Sequence, residues 1–275
     1  MTPNKRLGQH FLTDRNILDR IVDALDPAPG DVVLEIGPGK GSLTELLAPR
    51  VRSVIAIEKD RRLAADCRLR IADCGLDNVE VVDADALRLT WHEVVAASFS
   101  NPQSAIRNPQ FKIVGNIPYN ITSPLLEKAL TPPLPERVVF LVQKEVADRL
   151  AAGPGSRVYG ALSVGVQAQC RVERLFTVRA GAFTPRPAVT SALVRLTPIA
   201  ESAIGPREVP AFRAFVTACF ARRRKQLRNV LMGVTRQSAP VVTAGLRELG
   251  LDAAARPETL GPLAFARLLR WSARL

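Results

Sequence analysis

At 275 residues, with 47% hydrophobic content and a formal charge of +12, the chain is large enough for one α/β domain and a smaller companion with its own core. No apolar run reaches the roughly 18 residues of a membrane-spanning helix, and the opening MTPNKRLGQHFL lacks the apolar stretch of a signal peptide, so a soluble cytoplasmic protein is expected. Cys67, Cys74, Cys170 and Cys219 form no Cys-x-x-Cys pair, and His10 and His92 are the only histidines, which argues for reduced thiols and no metal site.

Residues 5–12, KRLGQHFL, are too polar and glycine-bearing for a strand and read as a lead-in able to fold over a ligand. A helix follows, capped by Thr13 or Asp14, with Ile17, Leu18, Ile21, Val22 and Leu25 on one face. Residues 32–37, VVLEIG, are a continuous apolar strand running into Gly37, Gly39 and Gly41 ahead of a helix over 42–47. Glycines there let a ligand approach the backbone at a helix N-terminus. A dinucleotide fingerprint would place its third glycine at position 42, where Ser42 stands, and the spacing Glu35-x-Gly-x-Gly-x-Gly resembles motif I of S-adenosylmethionine (SAM) methyltransferases instead. The next strand, 54–57, ends at Glu58, placed to accept ribose hydroxyl hydrogens of either SAM or NAD. A third strand, 79–82, delivers Asp85 to the level of a cofactor's adenine amino group; a helix N-cap is the competing role for either carboxylate.

Residues 98–110, SFSNPQSAIRNPQ, read as a mobile polar loop without assigned function. The apolar run 111–114 is then a buried strand that stops at Gly115, so Asn116, Ile117, Pro118 and Tyr119 sit at a strand's carboxyl end, where open α/β sheets bind ligands. The set joins an amide acceptor, a proline that stiffens the backbone and an aromatic face. An exocyclic adenine amine is a poor nucleophile because its lone pair is delocalised into the ring. Acceptors on both N–H bonds, the Asn116 side-chain oxygen and the Ile117 carbonyl, would favour a pyramidal nitrogen, with Tyr119 stacked on the base. An ordinary Pro-containing turn with Tyr119 at a core edge is the alternative. The segment resembles motif IV of N6-adenine methyltransferases, Asn/Asp-Pro-Pro-Tyr or Asn-Leu-Pro-Tyr, with Ile117 as the variant residue.

A helix over 124–130, a strand over 138–142 and a helix beginning at 143–150 follow, then a loop at 153–160. Lys144, Arg149 and Arg157 fit either nucleic-acid contacts or a solvated face. Residues 163–178 and 191–196 read as strands joined by FTPRPAVTS, whose Phe183 would either clamp a target base against Tyr119 or pack in the core. Beyond Pro198 the pattern is helical: an apolar stripe of Phe212, Phe215, Val216, Cys219 and Phe220 continues as a helix into ARRRKQLRN, and further helices lie near 241–249 and 263–271. Thirteen Lys/Arg against four Asp/Glu between 205 and 275 place +9 of the +12 there, suited to a phosphate backbone or to solubility alone.

Together GQHFL, EIGPGKGSLT, Glu58, DAD, GNIPYNI, QKEVADRL, FTPRPAVTS and ARRRKQLRN resemble, in this order and over nearly the whole chain, the KsgA/RsmA family of ribosomal RNA small-subunit adenine dimethyltransferases. That resemblance implies a Rossmann-like class I methyltransferase fold, a mostly parallel seven-stranded α/β sheet over 1–200, with a basic all-helical domain over 201–275 that binds rRNA. It implies SAM as methyl donor, held by His10, Leu12, Gly37, Glu58, Asp85 and Asn116, and catalysis by Asn116, Pro118, Tyr119 and Phe183 on two adjacent adenines of the 3′-terminal hairpin of 16S rRNA. Arg222, Arg223, Arg224, Lys225 and Arg228 are the expected RNA contacts of a monomer. An Erm-type enzyme of the large subunit and a non-catalytic ribosome-assembly factor on the same scaffold remain the competing readings.

Overall fold

The computed structural model describes residues 9–98 and 110–275; positions 5–8 of the lead-in and 99–109 of the polar stretch lie outside them. In chain order the strands and helices begin with β1 (Phe11–Leu12), α1 (Arg15–Leu25), β2 (Val32–Ile36), α2 (Thr44–Leu47), β3 (Ser53–Glu58), α3 (Arg61–Asp73) and β4 (Val79–Asp83). They continue with α4 (Trp91–Ala97), β5 (Lys112–Asn116), α5 (Thr122–Ala129), β6 (Arg137–Gln143), α6 (Lys144–Leu150), α7 (Ala161–Gln167), β7 (Cys170–Val178), β8 (Phe183–Thr184) and β9 (Ser191–Pro198). The helices α8 (Val209–Phe220), α9 (Leu227–Thr235), α10 (Ala239–Glu248) and α11 (Pro262–Ser272) complete the chain. Asp14 is the cap of α1, its Oδ1 accepting from the N–H groups of Asn16 at 3.0 Å and Ile17 at 3.3 Å.

The sheet order is β4-β3-β2-β5-β6-β9-β7, with β4 through β6 parallel and β9 antiparallel to β6. Every residue of β2 is buried, as the unbroken apolar run predicts for a strand covered on both faces. From β2 the chain steps out to β3 and β4 and then returns to the opposite side of β2 to begin β5, so the crevice between β2 and β5 is the point where strand order reverses. Register brings the carboxyl ends level: Glu35 pairs with Val114, Ile36 with Ile57, and Glu58 with Asp83. Gly115 permits this crevice, because a Cβ there would stand 2.6 Å from the Ile36 carbonyl oxygen. β5 runs one residue past Gly115, which makes Asn116 the last residue of the strand.

The chain forms two compact units, Met1–Ala147 with Glu173–Pro198 and Asp148–Val172 with Ile199–Leu275. In the first, Leu18, Ile21 and Val22 of α1 join Val33, Val54, Val114, Val139 and Leu141 of the sheet in one apolar cluster. In the second, Phe212, Val216, Leu231, Leu246, Phe265 and Trp271 cluster with Tyr159, Val164 and Ala168. Tyr159 is wholly buried and its hydroxyl donates to the Leu260 carbonyl at 2.9 Å. The chain passes between the units at 147/148, 172/173 and 198/199, so residues 148–172 are an excursion into the second unit.

Two expected elements are corrected. Residues 161–167 are helix α7, not the start of a strand. The alternation of Ser163, Val164, Gly165 and Val166 imitates a strand's period of two, but Val164 and Ala168 share one helical face and both enter the core of the second unit. The Gly160 N–H donates to Ser163 Oγ at 3.1 Å and starts that helix. The basic run is likewise not one continuous helix: α8 ends at Phe220 and α9 starts only at Leu227, so residues 221–226 lie between helices and Arg228 belongs to α9. The N–H groups of Leu227 and Arg228 reach the carbonyls of Ala255 at 2.7 Å and Ala253 at 3.2 Å, so a loop across the unit satisfies the new helix end.

Candidate active site

The loop after β2 holds Gly37, Gly39 and Gly41 at φ of +70°, +58° and +78°, left-handed conformations that favour glycine. This turns the Gly39 N–H toward β3, where it donates to Glu58 Oε2 at 3.1 Å while the Asp60 N–H donates to Glu58 Oε1 at 2.9 Å. Burial raises the Glu58 carboxyl above its ordinary range, opposed by these two backbone bonds. Behind the loop, Glu35 is 1% exposed and accepts from Thr44 Oγ1 at 2.6 Å. Burial pushes its carboxyl up to about 7, the Thr44 bond acts against that, and the nearby Glu58 carboxylate adds to it.

A folded-state value above the unfolded 4.5 means that the folded chain keeps a proton which the unfolded chain has released, so this residue's contribution to stability falls as pH rises from 4.5 to about 7. Glu35→Gln retains an acceptor for Thr44 and removes the titration. It is expected to stabilise the unliganded protein above pH 7 by up to about 3 kcal/mol and to leave stability unchanged below pH 4.5, read by urea unfolding between pH 4 and 8. A variant with the wild-type pH slope would show that Glu35 is not the titrating group.

Asp85 lies just past β4. Its Oδ2 pairs with Lys59 Nζ at 2.8 Å and its Oδ1 accepts from the Leu87 N–H at 3.0 Å, so the carboxyl is held below its usual range, chiefly by Lys59. Two carboxylates thus stand at successive strand ends. At the end of β5, the Asn116 side chain donates from Nδ2 to the His10 carbonyl oxygen at 2.8 Å. Its Oδ1 has no hydrogen bond among the described residues. Pro118 (φ −58°) turns the chain into a short 3-10 segment that carries Tyr119, whose hydroxyl lies 2.6 Å from Ser191 Oγ. The His10 ring stacks near Tyr119, centroids 5.9 Å apart and planes 25° from parallel, and its Nδ1 donates to the Pro185 carbonyl at 2.8 Å.

The lead-in closes over these groups through the pairing of β1 with β8, Phe11 opposite Thr184 and Leu12 opposite Phe183, and through Gln9 Nε2 donating to Asp60 Oδ2 at 3.1 Å. The result is a cavity of about 540 Å³ in the first unit. Eight expected site residues line it: His10, Leu12, Gly37, Glu58, Asp85, Asn116, Pro118 and Tyr119. Phe183 does not; it is 3% exposed and packed in the core beside Leu12, and Thr184 and Pro185 take the wall. Lys59 and Ser191 are partners that the sequence reading missed; a serine fixed by a tyrosine 72 residues away has no local signal.

The basic run lies in the second unit. Arg222, Arg224, Lys225 and Arg228 are exposed. Arg223 donates to the Arg157 carbonyl at 2.9 Å and pairs with Glu258 at 3.4 Å, which anchors the turn within its own unit.

The cavity residues fit SAM. The buried Glu58 carboxylate, organised by two backbone N–H groups, faces the cavity with lone pairs to spare for a ribose, and the side-chain-free Gly37 leaves room for a ligand, a Cβ there having no atom nearer than the Asn116 carbonyl oxygen at 4.0 Å. Its volume lies within the roughly 300–1,000 Å³ common for small-molecule sites. A mostly parallel seven-stranded sheet, with a glycine loop beside its switch point and acidic residues ending the next two strands, defines a Rossmann-like class I methyltransferase.

Residues 1–249 match the family model for ribosomal RNA adenine dimethylase, and the ribosomal RNA small subunit methyltransferase A of Hahella chejuensis is 41% identical over 265 residues, 96% of this chain and 90% of that one. The chain belongs to the ribosomal RNA adenine dimethylase family. Among solved structures, a dimethyladenosine transferase from Plasmodium falciparum superposes with a TM-score of 0.81 at 28% identity, covering 96% of this chain and 98% of that one. The 23S rRNA methyltransferase ErmE superposes at 0.71 with 29% identity, covering 96% and 99%.

Proposed function

We propose that this protein transfers methyl groups from SAM to N6 of two adjacent adenines in the 3′-terminal hairpin of small-subunit rRNA, in the cytoplasm and as a monomer. The observation that carries the reading is the orientation of Asn116: with Nδ2 committed to the His10 carbonyl, Oδ1 is left as an acceptor beside the glycine loop. SAM, when bound, supplies an electrophilic methyl group. Asn116 Oδ1 and the Ile117 carbonyl accept the two N–H bonds of the incoming amine and turn its lone pair outward, while Tyr119 offers a stacking face. No strong base is required, because the nitrogen becomes acidic only after attack and its proton can leave to water. In the second transfer one N–H has been replaced by methyl, so a single acceptor suffices.

An adenine within a helix has to be extruded to reach such a pocket, at a cost of roughly a few kcal/mol. The exposed cations Arg222, Arg224, Lys225 and Arg228 are suited to hold phosphates of the RNA. Incubation with labelled SAM and unmethylated small subunits, followed by nucleoside mapping, tests the reading. Dimethyladenine in the 3′-terminal hairpin is expected. The likeness to ErmE makes large-subunit RNA the comparison arm, and label found there alone would overturn the assignment.

A further inference from the structure

Ser191 opens β9 opposite Gln143 of β6 and is fully buried. Its Oγ lies 2.6 Å from the Tyr119 hydroxyl, the sole side-chain hydrogen bond at that serine among the described residues. Tyr119 lies in the 3-10 turn Tyr119–Ile121, none of whose residues is fully buried, so contacts from outside the turn fix its ring. The His10 ring lies against the tyrosine, and Ser191 holds its hydroxyl edge from the sheet. Burial keeps the phenol above its usual titration range, so its O–H persists as a donor at working pH.

We propose that Ser191 is a positioning residue for the target adenine: it ties Tyr119 to β9 and thereby sets the plane on which the base stacks. This rests on the reading of Tyr119 as the stacking surface. A ring free to swing would still bind a base, but it would present N6 to the acceptors in many orientations, and an angular spread at the reacting atom lowers the chemical step more than binding. Subunit affinity comes mainly from phosphate contacts and is expected to be untouched.

The test compares Ser191→Ala, Ser191→Thr, Tyr119→Phe and the Ala/Phe double variant on unmethylated small subunits. Ser191→Ala and Tyr119→Phe are each expected to lower kcat about tenfold, with KM for subunits and Kd for SAM unchanged. Ser191→Thr restores the rate, and the double variant is no slower than either single one, because both break the same bond. The chain has two tyrosines, so ¹³Cζ-tyrosine NMR reads the tether separately: Ser191→Ala shifts the Tyr119 resonance and leaves that of Tyr159 in place. An unmoved Tyr119 resonance, a wild-type kcat in Ser191→Ala, or losses that multiply in the double variant would overturn the positioning role alone. An inactive wild type sinks the methyltransferase reading and this role with it, a distinguishable result.

Discussion

Asn116→Ala is expected to lower methyl transfer by about a thousandfold, the scale seen when one preorganised polar group is removed from a reacting centre, while SAM affinity falls less than about tenfold. The asymmetry follows from where the side chain points. Its Nδ2 holds the His10 carbonyl, a contact to the lead-in, and on the proposed function its Oδ1 is the atom offered to the amine. On that proposal alanine removes the acceptor, whereas Gly37, Glu58 and Asp85 remain on the cavity wall. Asn116→Asp keeps an acceptor but sets a carboxylate oxygen against the His10 carbonyl, and an intermediate rate is expected. Single-turnover transfer from labelled SAM, beside calorimetric SAM binding, separates the two effects. Undiminished turnover in the alanine variant would remove Asn116 from the chemistry.

The second large effect concerns the opposite end of β5. Lys112 is 4% exposed, and its Nζ donates to the Asp26 carbonyl at 2.6 Å and to Asp31 Oδ2 at 2.7 Å, with Glu136 at 3.9 Å. Lys112→Met is expected to destabilise the fold by about 3 kcal/mol, the lower end of the range for breaking a buried pair, since Asp31 keeps some contact with water. The Lys112→Met/Asp31→Asn variant should lose less than the two single variants combined, because the orphaned carboxylate is gone. Equilibrium urea unfolding measures both, and losses that simply add would show that the pair is not coupled.

Lys112 also marks where local pattern stops being informative. The strand was legible from Phe111 to Val114 because an apolar run at a buried strand advertises itself, but a lysine inside that run points to partners 81 and 86 residues away, which no window contains. The same division holds at the site. Gly37, Glu58, Asp85 and Asn116 were legible since each follows an apolar strand directly and parallel register then brings strand ends together. The placement of His10 and Leu12 was legible only through family resemblance, since it depends on the two-residue pairing of β1 with β8. For Phe183 the pattern shows only an aromatic before a stiff turn and leaves pocket and core both open; its burial in the core of the first unit comes from tertiary packing. In α7 the period was ambiguous over seven residues, and tertiary burial of Val164 and Ala168 decided it.

The excursion of residues 148–172 has a practical corollary for dissecting the protein. Cutting the chain after residue 198 would strand Tyr159, Val164 and Ala168 without the aromatic cluster that covers them, and expressing 199–275 by itself would leave that cluster missing one wall. Neither fragment is therefore a faithful stand-in for its half. A hybrid that borrows the basic unit of a relative has to graft two separate stretches at once, joined through three crossing points rather than a single hinge.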